Sequence, residues 1–342
     1  MKAVVAQRGS ISVEDVPEPT PGPGQVLVAP LACGICGSDL HLVSSQAAMP
    51  DLVPAIVLGH EFVGEVLDYG PGTERTVPVG TAVTSVPYLD TGDGPQLVGL
   101  SPAVPGGLAE RLVLQEKRLV PVTGDVPVHY AAFAEPLAVG VHAVAAADVQ
   151  PGDVVLVVGC GPVGLSVIAC LKAAGVGPVV AADFSPRRRV LAEHIGADVV
   201  IDPAVSSPYQ SWAELAGAPV PMSPLMDTPQ RANTVVFECV GVPGILATVM
   251  DSVPPQTRIV VVGVCMQPDT ITPVVGTTKE LSIRFVFAYR PDEFARALDW
   301  IVRGTVDVAP FVTATLPLDS ATEAFEELRQ PDKHCKILLL PT

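Results

Sequence analysis

The stretch Val154-Val155-Leu156-Val157-Val158-Gly159-Cys160-Gly161-Pro162-Val163-Gly164 decides the fold. Its first five residues are apolar without a break. A strand with one wet face would alternate, so this run predicts a strand buried on both faces of a parallel sheet. A Gly-x-Gly-x-x-Gly pattern follows. Alone it is weak, but placed after a buried strand and before a helix it predicts a dinucleotide site. Gly159 permits the tight turn, Gly161 lets a pyrophosphate approach the backbone, and Gly164 lets helix and strand pack closely. Pro162 and Val163, between the second and third glycines, join the cofactor-binding candidates, and the helix that the motif opens presents its N-terminal N–H groups to the phosphates. The tract carries no charge from Val154 to Leu171, but three glycines and a proline suit strand, turn and helix better than a membrane span.

Downstream the same alternation repeats. The pattern predicts helices over 165–174 and 186–195, and strands over 178–182 and 199–201. After a proline-rich stretch, 203–230, come strands over 234–238 and 258–262. Strand–helix alternation of this kind implies right-handed βαβ units in a doubly wound sheet, an α/β fold. Asp183 ends the second strand, where a carboxylate can accept both ribose hydroxyls and would repel a 2′-phosphate. NAD is therefore expected over NADP, although Arg188, within Arg187-Arg188-Arg189, could hold that phosphate. Val240 and Gly263 complete the cofactor-binding candidates.

Upstream the character changes. Strands are expected over 2–6, 25–28, 61–66 and 77–86, with a loop rich in Pro and Gly from Pro17 to Gly24. Many short strands with such turns suggest a barrel or sandwich module. Residues 87–107 read as a polar, glycine-rich loop without Cys. An alanine-rich helix is expected over 131–143, with Pro136 at its start or at a kink. The tail predicts helices over 292–303 and 320–329 and a last strand over 336–340.

Within the β-rich part lies Gly34-Ile35-Cys36-Gly37-Ser38-Asp39-Leu40-His41, followed by Gly59-His60-Glu61. Thiolate, imidazole and carboxylate together suit zinc, and neither calcium nor magnesium would choose the sulfur. Cys36 and His60 come from separate segments, so this is no local zinc knuckle. A site of distant, few protein ligands usually keeps a place open, as catalytic zinc does.

The chain has 342 residues, 49% of them hydrophobic, enough for two domains with sizeable cores. Its formal net charge of −16 argues against nucleic acid or an anionic membrane as partner. Seven Cys in no regular framework read as reduced cytoplasmic thiols and ligands. The N-terminal residues show no signal-peptide pattern.

With both sites in view, the chain resembles the zinc-dependent medium-chain dehydrogenases, on the sorbitol, threonine and butanediol dehydrogenase side. The resemblance runs nearly end to end. It rests on the two stretches just quoted, on Pro105-Gly106-Gly107-Leu108-Ala109-Glu110, on Glu135-Pro136-Leu137-Ala138-Val139, on the glycine motif, and on Val236-Phe237-Glu238-Cys239-Val240-Gly241. It implies a GroES-like β-rich catalytic domain, 1–142 with 286–342, split around a Rossmann domain, 143–285. It implies zinc-assisted oxidation of a secondary alcohol, diol or polyol with NAD, and a homo-oligomer, dimer or tetramer.

By position, Cys36 and His60 resemble the zinc ligands of that family. Glu61 or Glu135 resembles the third, binding directly or through water. Ser38 resembles the hydroxyl that takes the substrate's proton, and His41 the outer histidine of the relay. Asp39 resembles the partner that fixes the His60 tautomer. Two departures stand out. The segment 87–107 lacks the four Cys of a structural zinc, so one zinc per chain at most is expected. Polyol-oxidising members place Arg just before a Tyr, where this chain has Ala288 before Tyr289. Two other classes are a zinc-free quinone or enoyl reductase of the same superfamily and a non-enzymatic nucleotide-binding protein. Members of the first generally lack the equivalents of Cys36 and His60, and the intact set with Ser38 argues against the second.

Overall fold

In the computed structural model, residues 1–217 and 233–341 are described. They form two compact units, Met1–Glu135 with Phe294–Thr342, and Pro136–Glu293. The divisions fall near the starts of two helices, Ala134–Ala147 and Pro291–Val302, not at the expected 142/143 and 285/286. Composition marks where a helix becomes apolar but not which unit packs its first turn.

The second unit holds a six-stranded parallel sheet. Its order is Val199–Ile201, Val179–Ala182, Val154–Val158, Thr234–Glu238, Arg258–Val261, Ser282–Phe285. The chain winds outward one way from Val154–Val158, then returns to its other side at Thr234–Glu238. That reversal is a topological switch point, and ligands bind open α/β sheets at the carboxyl ends of the strands beside it. Every residue of Val154–Val158 and Thr234–Glu238 is buried, which explains their unbroken apolar runs.

The expected helix over 186–195 and strands over 199–201 and 234–238 match the observed bounds. The helix expected over 165–174 begins earlier, at Pro162, because Pro at the first helical turn has no N–H to lose. The proline-rich stretch 203–230 contains a helix, Pro208–Leu215, with Trp212 fully buried in the core and its Nε1 donating to Val154 O at 2.9 Å. Residues 218–230 of that stretch lie outside the described residues.

The first unit is built on a mixed sheet of strands far apart in the chain. Its order is Leu119–Pro121, Ala82–Ser85, Glu61–Tyr69, Gln25–Gly34, Lys336–Leu340, Val312–Pro317, with Leu112–Gln115 also paired to Gln25–Gly34. A second sheet joins Ser10–Asp15, Lys2–Gln7 and Ile56–Val57. The strand expected over 25–28 runs on to Gly34, through Pro30, where the register shifts. A bulge admits a residue that cannot donate to the ladder. The strand expected over 77–86 begins only at Ala82, after a turn at Pro78 and Gly80. Val312–Pro317 was not anticipated, since its Thr and Ala residues give no clear alternation.

The segment 87–107 also differs from expectation, since it contains a hairpin, Tyr88–Thr91 with Gly94–Leu97. Asp90 secures it. Its carboxylate takes Arg118 Nη2 at 2.8 Å and Lys117 Nζ at 2.7 Å. Arg118 Nη1 also donates to Tyr88 O at 3.3 Å. Hydrogen bonds from Arg118 and then Lys117 lower the Asp90 carboxyl to about 2. A depressed carboxyl adds stability above its unfolded value, near 3.9, and loses it as pH falls toward about 2. Asp90 is 34% exposed, so screening limits the contribution to about 1 kcal/mol. The urea midpoint of Asp90→Asn is expected to lie below wild type at pH 7, with the gap closing between about pH 4 and about pH 2. A gap that stays constant over that range would show that the ion pairs do not hold the hairpin.

Among the described residues, one apolar helical run, Val128–Ala147, is long enough to cross a membrane by length and composition, but 67% of its most apolar 18-residue window is buried inside the fold. It begins as 3-10 helix Val128–Phe133, which packs on the strands Gln25–Gly34 and Glu61–Tyr69.

Candidate functional site

Three side chains of the first unit converge. One ligand atom each from Cys36, His60 and Glu61 lies within 4.8 Å of the others. They come from ends of elements. Cys36 is the N-cap of the helix Gly37–Ala48, just after the strand Gln25–Gly34. His60 and Glu61 stand at the start of Glu61–Tyr69, and Glu61 pairs with Gly34 in the ladder. Register therefore sets the separation of the two segments. Helix N-termini favour negative charge, which suits a thiolate at Cys36.

Gly34 and Gly59 make room for this arrangement. A Cβ on Gly34 would overlap Glu61 Oε2, and Gly59 has φ +104 with Cys33 Sγ and the Leu108 backbone against it.

Asp39 joins the two segments. Its Oδ2 accepts from Cys36 N at 2.8 Å, and its Oδ1 lies 3.5 Å from His60 Nδ1. Both Asp39 Oδ1 and His60 Nδ1 are buried with no formed hydrogen bond. The separation suits attraction, and a small closure would put a proton between them on Nδ1. That tautomer leaves Nε2 with its lone pair for a metal. Burial works to lower the His60 pKa, but the Asp39 carboxylate and the Cys36 thiolate outweigh it and hold it well above the usual value. Ser38 Oγ stands 3.2 Å from His60 Nε2, the ring nitrogen that would be left for a metal. His41 follows three positions later on the same helix, hence on the same side as Ser38, and is exposed.

Behind Glu61 lies Lys336. Its Nζ donates to Glu61 Oε1 and Oε2, each at 2.7 Å, and to Ile35 O at 2.9 Å. Burial alone would lower this ammonium, but Glu61 more than offsets that and its pKa stands above the ordinary lysine value. The sequence reading missed Lys336. Its signal was there, a lone cation inside the apolar run Cys335-Lys336-Ile337-Leu338-Leu339-Leu340, since lysines are seldom buried unless paired.

Glu135 sits in the first turn of Ala134–Ala147, half-buried. Among the described residues it is not in the convergent set of Cys36, His60 and Glu61. The chemistry of that set, one soft thiolate, one imidazole and one carboxylate, fits zinc.

The cofactor candidates of the second unit gather at the carboxyl ends of its strands. Gly159 has φ +90, and a Cβ there would meet Val240. A Cβ on Gly164 would overlap Gly159 O, and one on Gly263 would overlap the Gly241 backbone. Gly161 is different. It is extended, with φ −69, and a Cβ on it would find nothing nearer than Arg188 Nη1 at 3.8 Å. The fold itself does not require glycine there, so the bare backbone fits a ligand that approaches closely. Pro162 and Val163 begin the helix behind it.

Asp183 Oδ2 accepts from Cys160 N at 2.7 Å and its Oδ1 from Ser185 N at 2.8 Å. Arg188 Nη1 lies 3.8 Å from Asp183 Oδ2. Arg189 is committed elsewhere, donating to the Asp183 and Phe184 carbonyls and pairing with Asp202 at 2.8 Å. Glu238 is buried and holds the turn carrying Val240 by accepting from Val240 N at 2.6 Å and Gly241 N at 2.9 Å.

Comparison with known proteins gives the family. Residues 22–124 match the alcohol dehydrogenase GroES-like domain, and residues 162–303 match the zinc-binding dehydrogenase domain. The (R,R)-butanediol dehydrogenase of Neisseria gonorrhoeae is 31% identical, over 98% of this chain and 97% of its own. The crystal structure of 2R,3R-butanediol dehydrogenase from Bacillus subtilis is similar with a TM-score of 0.84 at 30% identity, covering 100% of this chain and 99% of that one. A zinc-binding dehydrogenase from Sinorhizobium meliloti 1021, solved bound to NADP, gives a TM-score of 0.83 at 28% identity, with 99% of each chain covered.

Proposed function

Because the chain belongs to the zinc-dependent medium-chain alcohol dehydrogenase family, we propose that it oxidises a small secondary alcohol or vicinal diol to the carbonyl compound with NAD. The convergence of Cys36, His60 and Glu61 carries the reading. Cys36 and His60 would hold one catalytic zinc, with Glu61 or Glu135 as the third protein ligand. When bound, zinc supplies Lewis acidity toward an alcohol oxygen, and the nicotinamide supplies the hydride acceptor.

The chain's own residues do the rest. Ser38 Oγ, beside His60 Nε2, takes the hydroxyl proton, and His41 on the same helix passes it toward solvent. Asp39 keeps the His60 ring turned and in one tautomer. The helix that begins at Pro162 and the bare Gly161 hold the pyrophosphate, while Asp183 receives the adenosine ribose. A carboxylate at that place disfavours a 2′-phosphate, and Arg188, 3.8 Å from Asp183 Oδ2, stands near enough to offset it. Val240 and Gly263 flank the nucleotide from the next two strands.

Ala288 lacks the guanidinium that polyol-oxidising members place before the tyrosine, so a short diol suits this site better than a hexitol. The segment 87–107 is secured by Asp90 and its cations, in keeping with a single zinc per chain. We place the enzyme in the cytoplasm as a homo-oligomer, dimer or tetramer. The open edge Ser282–Phe285, with Phe285 and Phe287 exposed, supports an assembly of that kind.

The test is a panel of secondary alcohols, vicinal diols, polyols and amino alcohols with NAD and NADP, read at the reduced-nicotinamide absorbance. Vicinal diols with NAD are expected to give the highest kcat/KM, with about one zinc per chain by elemental analysis. Metal-free protein of full activity would refute the reading.

A further inference from the structure

The cofactor candidates of the second unit follow one another along a row of strand ends. Asp183 follows Val179–Ala182, Gly161 lies beyond Val154–Val158, Val240 beyond Thr234–Glu238 and Gly263 beyond Arg258–Val261. The next strand in the row is Ser282–Phe285, and the loop 286–290 leaves its carboxyl end. Adjacent strands lie about 4.8 Å apart, so this loop starts one strand width from the turn at Gly263. A dinucleotide with its ribose at Asp183 and its pyrophosphate at Gly161 extends along this row, which carries its nicotinamide half toward loop 286–290.

Loop 286–290 is pinned at both ends. Val286 N donates to Val261 O at 3.1 Å, and Arg290 N donates to Glu293 Oε2 at 2.7 Å. Between them Ala288 stands in the left-handed region, with φ +53. Alanine is a poor residue there, since its Cβ crowds the backbone and it has no polar atom to compensate. Bonds beyond the residue must therefore hold it. Glu293 supplies one from the first turn of the helix Pro291–Val302, reaching back to Arg290 N as a capping-box glutamate does. Glu293 is 5% exposed and is itself held by His142, whose Nδ1 lies 2.9 Å from Oε2 and 3.1 Å from Oε1. A carboxylate only accepts, so Nδ1 carries the proton. His142 stands on the helix Ala134–Ala147, 151 residues earlier in the chain, and both residues belong to the second unit. No step of the proposed reaction uses either.

We propose that His142 and Glu293 are positioning residues that hold loop 286–290, with Ala288 left-handed, in the shape that receives the nicotinamide half of the cofactor. The proposal rests on the dinucleotide reading above and deepens it. Neither side chain needs to touch the cofactor. His142 keeps the Glu293 carboxylate turned toward Arg290 N, and that bond stops the loop from unwinding. Without the pair, Ala288 relaxes to a negative φ, and the loop leaves the row of strand ends.

The test measures NADH affinity by fluorescence titration, and amide exchange over 286–290 by mass spectrometry, on the full zinc-loaded chain. His142→Leu puts a good helix former on the helix and leaves Glu293 and Arg290 in place. It is expected to weaken NADH binding and to speed that exchange, each by at least about tenfold, the size of one lost hydrogen bond to a charged group, with zinc content unchanged. His142→Gln retains a donor and is expected to stay within about threefold of wild type. Adding Ala288→Gly to His142→Leu removes the backbone penalty that the pair offsets, and affinity is expected to return to within about threefold of wild type. Glu293→Gln leaves no buried charge unpaired and is expected to lose at least about threefold, again recovered by Ala288→Gly. Wild-type affinity and exchange in His142→Leu overturn the inference. So does a loss that Ala288→Gly leaves unrecovered, since His142 would then act elsewhere than on the loop. Wild type that binds no NADH refutes the dinucleotide reading itself, and the inference with it.

Discussion

Cys36→Ser is expected to lose its zinc and to lower kcat/KM by more than about 100-fold. Altering even a residue that only supports a metal ligand typically costs 10–100-fold, so removing the ligand itself costs more. Serine keeps the size and the polar atom but is a harder, less acidic donor that zinc binds poorly. The fold is expected to survive. Cys36 is half-buried at a helix N-cap, where Ser is a preferred residue, and Asp39 still accepts from the backbone at position 36. Far-UV circular dichroism and thermal midpoint near wild type, with zinc far below one per chain, are the expected pair of results. His60→Ala is expected to lose zinc equally, but with a lower midpoint, since it leaves a cavity and strips Asp39 Oδ1 of the charge beside it. Full zinc content in Cys36→Ser would sink the assignment of the thiolate.

The second large effect is a contrast between two glycines of one motif. Gly164→Ala places a Cβ onto Gly159 O, a clash of backbone with backbone that no rotamer relieves. Overpacking costs about 1–3 kcal/mol and this contact belongs at the upper end. A thermal midpoint lower by about 6–12 °C is expected for a protein of this size. Gly161→Ala meets only open space to 3.8 Å. Its stability is expected to fall by no more than about 1 kcal/mol, from a poorer helix N-cap. Its affinity for NADH, by fluorescence titration, is expected to fall at least about tenfold, because the methyl occupies the approach of the pyrophosphate. Wild-type NADH affinity in Gly161→Ala would show that the turn does not cradle phosphate.

Much of the second unit was legible because its signals are local. A run of Val ends at Gly159, Ser185 caps Pro186–Ile195, and Gly196 in the left-handed region closes it. Each of these acts within a few residues. The first unit was harder, because its strands find partners far along the chain. Gln25–Gly34 pairs with Glu61–Tyr69, Leu112–Gln115 and Lys336–Leu340, and nothing near Pro30 announces that the strand continues. Comparison with relatives places the chain in the family whose motifs the sequence displays. The convergence of Cys36, His60 and Glu61 accords with the ligand types read from the sequence. What motif reading did not yield was the partner of Glu61. A resemblance carries residue types across at matched positions, but the ion pair at Lys336 depends on which strand lies behind the site.

That placement has a consequence for biosynthesis. The carboxylate at position 61 meets its counter-ion only after a further 275 residues have been added, and the whole nucleotide-binding unit is made in between. Domains tend to fold as they emerge, so the nucleotide-binding half can be complete while the other half still lacks a strand. On the ribosome the nascent polypeptide therefore carries an acidic group facing a missing neighbour until Lys336–Leu340 has slid into the sheet beside Gln25–Gly34.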